Sequence, residues 1–150
     1  MDMVKSLIAM IPVVLLTSGL VACSTVTPPN KQPGELAAGA SEVTIAGAIV
    51  ARSTSVTCSP EGAVTTIDTG SKDEGTTSTV GSDGGLAAKS VVLRNVGGFS
   101  GSYWEGLGDA DGGEVTMKGR TYMITGTAMG YNADDPTQRK PEKFSIRVAC

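Results

Sequence analysis

From Glu42 to the C-terminus, apolar and polar residues alternate with a period of two, in short runs separated by glycine, aspartate and proline. Threonine and valine dominate these runs, as is typical of half-buried strands. No stretch after Cys23 keeps a helical period for three turns, and at most one helical turn is expected, near Asp134–Arg139. The pattern predicts a single all-β domain over residues 42–150, an antiparallel β-sandwich or partly open barrel of seven to nine short strands.

The first 22 residues follow a different pattern. Lys5 precedes an almost wholly apolar run from Leu7 to Leu16, which Thr17-Ser18-Gly19 then interrupts. This arrangement predicts a secretory signal peptide over residues 1–22. A membrane-spanning helix needs about 20 apolar residues, and Pro12 and the polar interruption come too early for one.

The end of this segment, Leu20-Val21-Ala22-Cys23, resembles the bacterial lipobox. Only a thiol can receive the diacylglycerol thioether, so Cys23 is the expected lipidation site, with signal cleavage between Ala22 and Cys23. A further acyl chain on the freed amine would complete the anchor, because stable attachment takes more than one chain. We therefore expect an exported protein, lipid-anchored in the cell envelope at the outer face of the cell membrane.

Residues 24–41 contain three prolines, many small residues and no aromatic residue. This composition predicts a flexible tether over the lipidated segment 23–41. With Cys23 assigned to lipid, Cys58 and Cys150 remain as an even pair in an oxidising compartment, where a disulfide is expected. Both cysteines lie on the apolar side of their strands, so the bond is expected inside the core.

Composition narrows the possible chemistry. The absence of histidine excludes His-based acid–base catalysis, Ser-His-Asp and Cys-His nucleophile systems, and nearly all common zinc and iron sites. A net charge of −3 gives no basic surface for nucleic acid. Asp109, Asp111 and Glu114 begin like a calcium loop, but the match fails after two ligands and an acidic turn is the better interpretation. No catalytic residue and no metal site is predicted.

The aromatic residues all follow residue 98, and Trp104 is the only tryptophan. Phe99 and Tyr103 lie on one face of their predicted strand and Trp104 lies on the other, and either face could be the one that packs in the core. A tryptophan near a strand end is usually a half-buried edge residue. The alternative is a binding role, in which Trp104 and Tyr103 form the rim of a site for a lipid, a glycan or a partner.

Several segments share their sequence with one known family: Cys23 with the Thr/Pro-rich segment after it, and residues 43–47, 90–98, 122–130, 136 and 143–150. In these segments the chain resembles the mycobacterial LpqH-type (19 kDa) lipoprotein antigen family. The resemblance implies an acylated and often glycosylated surface protein, which host Toll-like receptor 2 recognises through the acylated cysteine. It also implies that Cys58 and Cys150 form the family's disulfide, and it carries over no catalytic residue.

Three functional hypotheses follow. The first is a non-enzymatic cell-envelope lipoprotein that needs no cofactor beyond the covalent diacylglycerol and acyl chain on Cys23. The second is a membrane-anchored carrier that holds a lipid or glycolipid in its β-domain. A continuous apolar pocket near Trp104 would favour the carrier, and a tightly packed interior would disfavour it. The third, an enzyme using paired carboxylates, requires two acidic residues in one cleft.

Overall fold

The computed structural model describes residues 32–108 and 112–150. Ten strands account for most of these residues: β1 (Ser41–Ile45), β2 (Ala48–Ser53), β3 (Val56–Glu61), β4 (Val64–Gly70), β5 (Gly75–Gly81), β6 (Ala87–Val96), β7 (Phe99–Trp104), β8 (Gly112–Lys118), β9 (Thr121–Asn132) and β10 (Asp135–Ala149). The all-β prediction is confirmed, although the strands number ten and β9 and β10 are long, at 12 and 15 residues. The segment near Asp134–Arg139 begins β10 and forms no helical turn. The described residues include no helix long and apolar enough to cross a membrane.

All ten strands belong to one antiparallel sheet, in the order β2-β1-β10-β9-β7-β6-β5-β4-β3. The remaining strand, β8, pairs with both β6 and β9. Strands β6, β7, β9 and β8 therefore form a closed circuit, a small barrel from which two arms of the sheet extend. The last strand of the chain, β10, lies between β1 and β9, well inside the sheet.

One face of the sheet is buried, as the alternation predicts. In β10, Phe144, Ile146 and Val148 are buried, while Ser145 and Arg147 between them are only partly covered. Successive side chains of a strand point to opposite faces, so every second residue of β10 enters the core. The remaining apolar core residues come from the other strands: Val43, Ile45, Ile67, Val80, Ala88, Val91, Leu93, Val96, Phe99, Tyr103, Val115, Ile124, Ala128 and Ala149.

Glycines make room for the aromatic rings inside the barrel. Gly101 and Gly130 are paired across β7 and β9, and the ring of Phe99 lies over both. A Cβ atom on Gly101 would lie 2.8 Å from that ring, and one on Gly126 would lie 2.9 Å from the ring of Phe144. None of these three glycines has a positive φ, so they are needed for space and not for an unusual backbone conformation.

Candidate functional site

Residues 32–40, which we name the N-terminal strap, are hydrogen-bonded to the end of the barrel. The Leu36 amide donates to Thr121 Oγ1 at 2.9 Å. The Gly39 amide donates to the Ala149 carbonyl at 2.9 Å, and the Ala149 amide donates to the Ala40 carbonyl at 2.9 Å. Within the segment predicted as a tether, residues 36–40 are therefore held against the domain by hydrogen bonds that continue the pairing of the last strand.

The turn between β8 and β9 lies beside this strap, and we name residues 117–120 the hairpin tip. Lys118 Nζ donates to the Pro33 carbonyl at 3.5 Å. Gly119 adopts a φ of 56°, and a Cβ atom there would lie 2.8 Å from Cδ of Glu35. Met117 is 43% exposed, and Lys118 and the other cation of the tip, Arg120, are exposed. The tip therefore presents one apolar and two basic side chains.

Cys58 and Cys150 form a disulfide with a Cα–Cα distance of 6.0 Å, and the predicted pairing is confirmed. The alternation of apolar and polar residues predicted this bond inside the core, but the bond lies at the margin of the core. Cys58 packs half-buried against the core, and Cys150 is exposed, with its amide donating to the Arg120 carbonyl at 3.1 Å. The alternation along β10 would place the Cys150 side chain on the inner face of the sheet. Cys150 follows the last residue of β10, however, and it is exposed there.

The strap, the hairpin tip and Cys150 together form one end of the domain, which we name the N-terminal pole. The predicted lipidation site Cys23 and the cleavage position after Ala22 lie outside the described residues. The sequence places Cys23 only nine positions before Gln32, where the strap begins. Any group attached to Cys23 is therefore tied to this end of the domain.

The two aromatic residues predicted as a binding rim point to opposite faces of β7. Tyr103 is buried, and its ring centroid lies 6.4 Å from that of Phe144. Burial raises the pKa of the Tyr103 hydroxyl, and the charge of Glu105 raises it further. Trp104 is 48% exposed on the outer face, opposite Ser90 of β6. Tyr103 is thus a core residue and forms no rim with Trp104, because consecutive strand residues face opposite ways.

Two neighbouring depressions among the described residues are candidates for holding a carried ligand. A cavity of about 210 Å³ lies between the two arms of the sheet. Its lining mixes polar and apolar residues: Ser41, Val43, Ala51, Arg52, Ser53, Thr69, Gly70, Ser71, Glu74, Gly75 and Val96. The second depression, of about 530 Å³, is lined by Asp68, Thr69, Gly70, Ser71, Lys72, Thr77 and Arg94. Small-molecule pockets usually enclose about 300–1,000 Å³ and are mostly apolar, so the first cavity is smaller than such a pocket and the second is lined by more polar residues.

Several of the described acidic side chains serve as hydrogen-bond or ion-pair partners. Asp68 Oδ1 accepts from Thr77 Oγ1 at 2.5 Å, and Thr77 Oγ1 accepts from Arg94 Nη1 at 2.7 Å. Glu114 is exposed, while Asp109 and Asp111 of the predicted acidic turn lie outside the described residues. Within residues 32–108 and 112–150, no three His, Cys, Asp or Glu side chains are grouped so that they could hold a metal ion.

Comparison with known proteins connects this fold to mycobacterial lipoproteins. The family model described as Mycobacterium 19 kDa lipoprotein antigen matches residues 34–150, a range that begins inside the N-terminal strap. A probable lipoprotein LppE of Mycobacterium tuberculosis is 30% identical over 139 residues, 91% of each chain. A putative lipoprotein of Mycobacterium indicus pranii is 44% identical over 62 residues, which are 41% of this chain and only 43% of that protein. Lipoprotein LpqH of Mycobacterium avium is 32% identical over 96 residues, 64% of this chain and 59% of the relative.

Proposed function

Because the chain belongs to the family of the Mycobacterium 19 kDa lipoprotein antigen, we propose that it is a non-enzymatic, acylated lipoprotein of the cell envelope. A diacylglycerol and an acyl chain on Cys23 hold it at the outer face of the membrane. The observation that carries this proposal is the lipobox-like Leu20–Cys23 directly before a chain segment that enters a disulfide-closed domain at one pole. The disulfide supports export, because such bonds persist in oxidising compartments.

The anchor can be tested by replacing Cys23. We expect Cys23→Ala to abolish acylation and to move the protein from the detergent phase to the aqueous phase in a phase-partition assay. The physical reason is that the thioether needs a thiol, and each buried CH₂ of the lost chains had contributed about 0.8 kcal/mol to membrane binding. Mass spectrometry of the wild type should find a mature chain that begins at lipidated Cys23. Ser24→Ala is the matched control and should partition like the wild type, whereas membrane retention of Cys23→Ala would refute the anchor.

We further propose that the lipid is the part of the molecule that host Toll-like receptor 2 recognises, as the family resemblance implies. Affinity for an apolar receptor pocket should follow the number of buried CH₂ groups. The folded domain has few groups that could bind an apolar receptor pocket as well as the acyl chains do, since the chain is acidic overall and only 4% aromatic. The folded domain would then serve a separate role in the envelope.

The separate contributions of the lipid and of the folded domain to receptor activation can be measured on receptor-bearing cells. The mature acylated protein and an acylated peptide of residues 23–31 should activate the receptor to within about tenfold of each other, because both carry the same buried acyl groups. The peptide ends where the N-terminal strap begins, so it contains none of the domain. The mature chain with Cys23→Ala should be inactive. Equal activity from this unacylated protein, free of contaminating lipopeptide, would overturn the proposal.

A further inference from the structure

We propose that the N-terminal pole is a membrane-contacting surface, in which the hairpin tip (residues 117–120) touches the anionic phospholipid headgroups of the anchoring membrane. This inference rests on the proposed acylation of Cys23. It goes further in assigning the domain an orientation: the N-terminal pole faces the lipid, and the turn between β9 and β10 faces away. The domain would then lie on the bilayer and not be held off it by a long tether.

The length of chain outside the domain supports this contact. The first hydrogen bond between the described strap and the barrel is at Pro33, so only residues 24–32 separate the lipidated cysteine from the domain. Nine residues reach at most about 32 Å when fully extended, and a random coil of that length averages about 17 Å. The chain enters the domain beside the hairpin tip, since the Pro33 carbonyl lies 3.5 Å from Lys118 Nζ. The tip is therefore the part of the barrel that stays nearest to the anchor.

The chemistry of the hairpin tip fits a lipid headgroup layer. Lys118 and Arg120 are exposed cations, and the exposed Met117 beside them is an apolar side chain that can enter the interface. Basic residues near an anionic bilayer each contribute an attraction that fades within a Debye length of about 8–10 Å. One negative group faces the same tip, the Glu35 carboxylate beside Gly119.

Fluorescence of single tryptophans can test which pole faces the lipid. In the acylated full chain, Trp104→Phe removes the only tryptophan, and Met117→Trp then places a reporter at the hairpin tip. Tyr131→Trp in the same background is the matched control, because residue 131 follows Thr121 by ten positions in β9, or about 33 Å. In phosphatidylglycerol-containing vesicles with brominated acyl chains, the Met117 reporter should lose about half its intensity, since the tip would lie within the interface. The Tyr131 reporter should be nearly unquenched.

Charge reversal separates headgroup contact from simple proximity. Lys118→Glu with Arg120→Glu should abolish the quenching of the Met117 reporter, and neutral phosphatidylcholine vesicles should do the same. Arg139→Glu with Lys140→Glu makes the same change of charge in the half of β10 remote from the pole and should leave quenching unchanged.

Vesicle flotation distinguishes the two proposals. Every acylated variant should float with the vesicles, and failure to float would refute the lipid anchor itself. Flotation without quenching of the Met117 reporter, or with equal quenching of the Tyr131 reporter, would overturn the orientation. Quenching that persists after the Lys118 and Arg120 reversal would overturn the headgroup contact.

Discussion

Replacing Cys58 and Cys150 together by serine is expected to lower the free energy of unfolding by about 4–5 kcal/mol, the chain-entropy value for a closed loop of this size. The two cysteines are 92 positions apart, so the bond restrains most of the unfolded domain. It also ties the edge strand β3 to the end of β10, which belongs to the other arm of the sheet. Whole domains are stable by only about 5–15 kcal/mol, so the loss is a large fraction of the total.

Urea unfolding at equilibrium measures this loss. Wild-type protein in a thiol reductant is the matched control, because it lacks the same bond while keeping both cysteines. The reduced wild type and the double variant should agree to within about 1 kcal/mol, the spread expected for single polar replacements at a partly exposed site. A double variant as stable as the oxidised wild type would show that the bond does not restrain the unfolded chain.

Gly130→Ala is expected to destabilise the domain by about 3 kcal/mol or more, through overpacking at the β7–β9 pair. The added Cβ atom would overlap the Ser100 carbonyl oxygen and would lie 2.6 Å from Gly101 Cα. It would also lie 2.7 Å from the Phe99 ring. Backbone on the partner strand cannot move aside without breaking the closed circuit of β6, β7, β9 and β8.

Gly81→Ala provides the matched control for this substitution. Gly81 is also a strand glycine without a positive φ, but the three atoms nearest to a Cβ there all belong to the flexible side chain of Lys89. That side chain can rotate away, so the cost should stay within about 1 kcal/mol. Thermal unfolding followed by circular dichroism measures both variants. Equal melting temperatures for the two would show that the barrel relaxes around Gly130.

The sequence predicted the strands well where one face is buried. In β10 the alternation of Phe144, Ile146 and Val148 with polar residues shows both the strand and its inward face. The first residues of β10, near Asp135, are exposed on both sides and give no such signal. These residues belong to a strand because β10 pairs with β9, and the sequence of β10 alone does not show that pairing.

The sequence predicted the candidate site less completely than the strands, because main-chain hydrogen bonds do not depend on the amino-acid composition of the segment that makes them. The segment containing Pro33 and Gly39 has the composition of a linker, yet amides and carbonyls of the strap pair with Thr121 and Ala149. The one local signal of packing is the apolar Leu36, which is half-buried, whereas Ala37 and Ala38 after it are exposed. The parity of Tyr103 and Trp104 was visible in the sequence, but only the pairing of β7 between β6 and β9 shows which side is the core.

The position of β10 has a consequence for when the domain can fold. It is the last strand to be synthesised, yet β1 pairs with it on one side and β9 on the other. A nascent chain that has not reached residue 135 lacks the link between β1–β2 and the rest of the sheet, and it also lacks the second cysteine. Such non-local pairing is slow and must wait for the C-terminus. The strands of the closed circuit, β6, β7, β9 and β8, are all made before β10, so the barrel can form ahead of the β1–β2 arm. The two parts are joined, and the disulfide closed, only when the C-terminal strand has been synthesised.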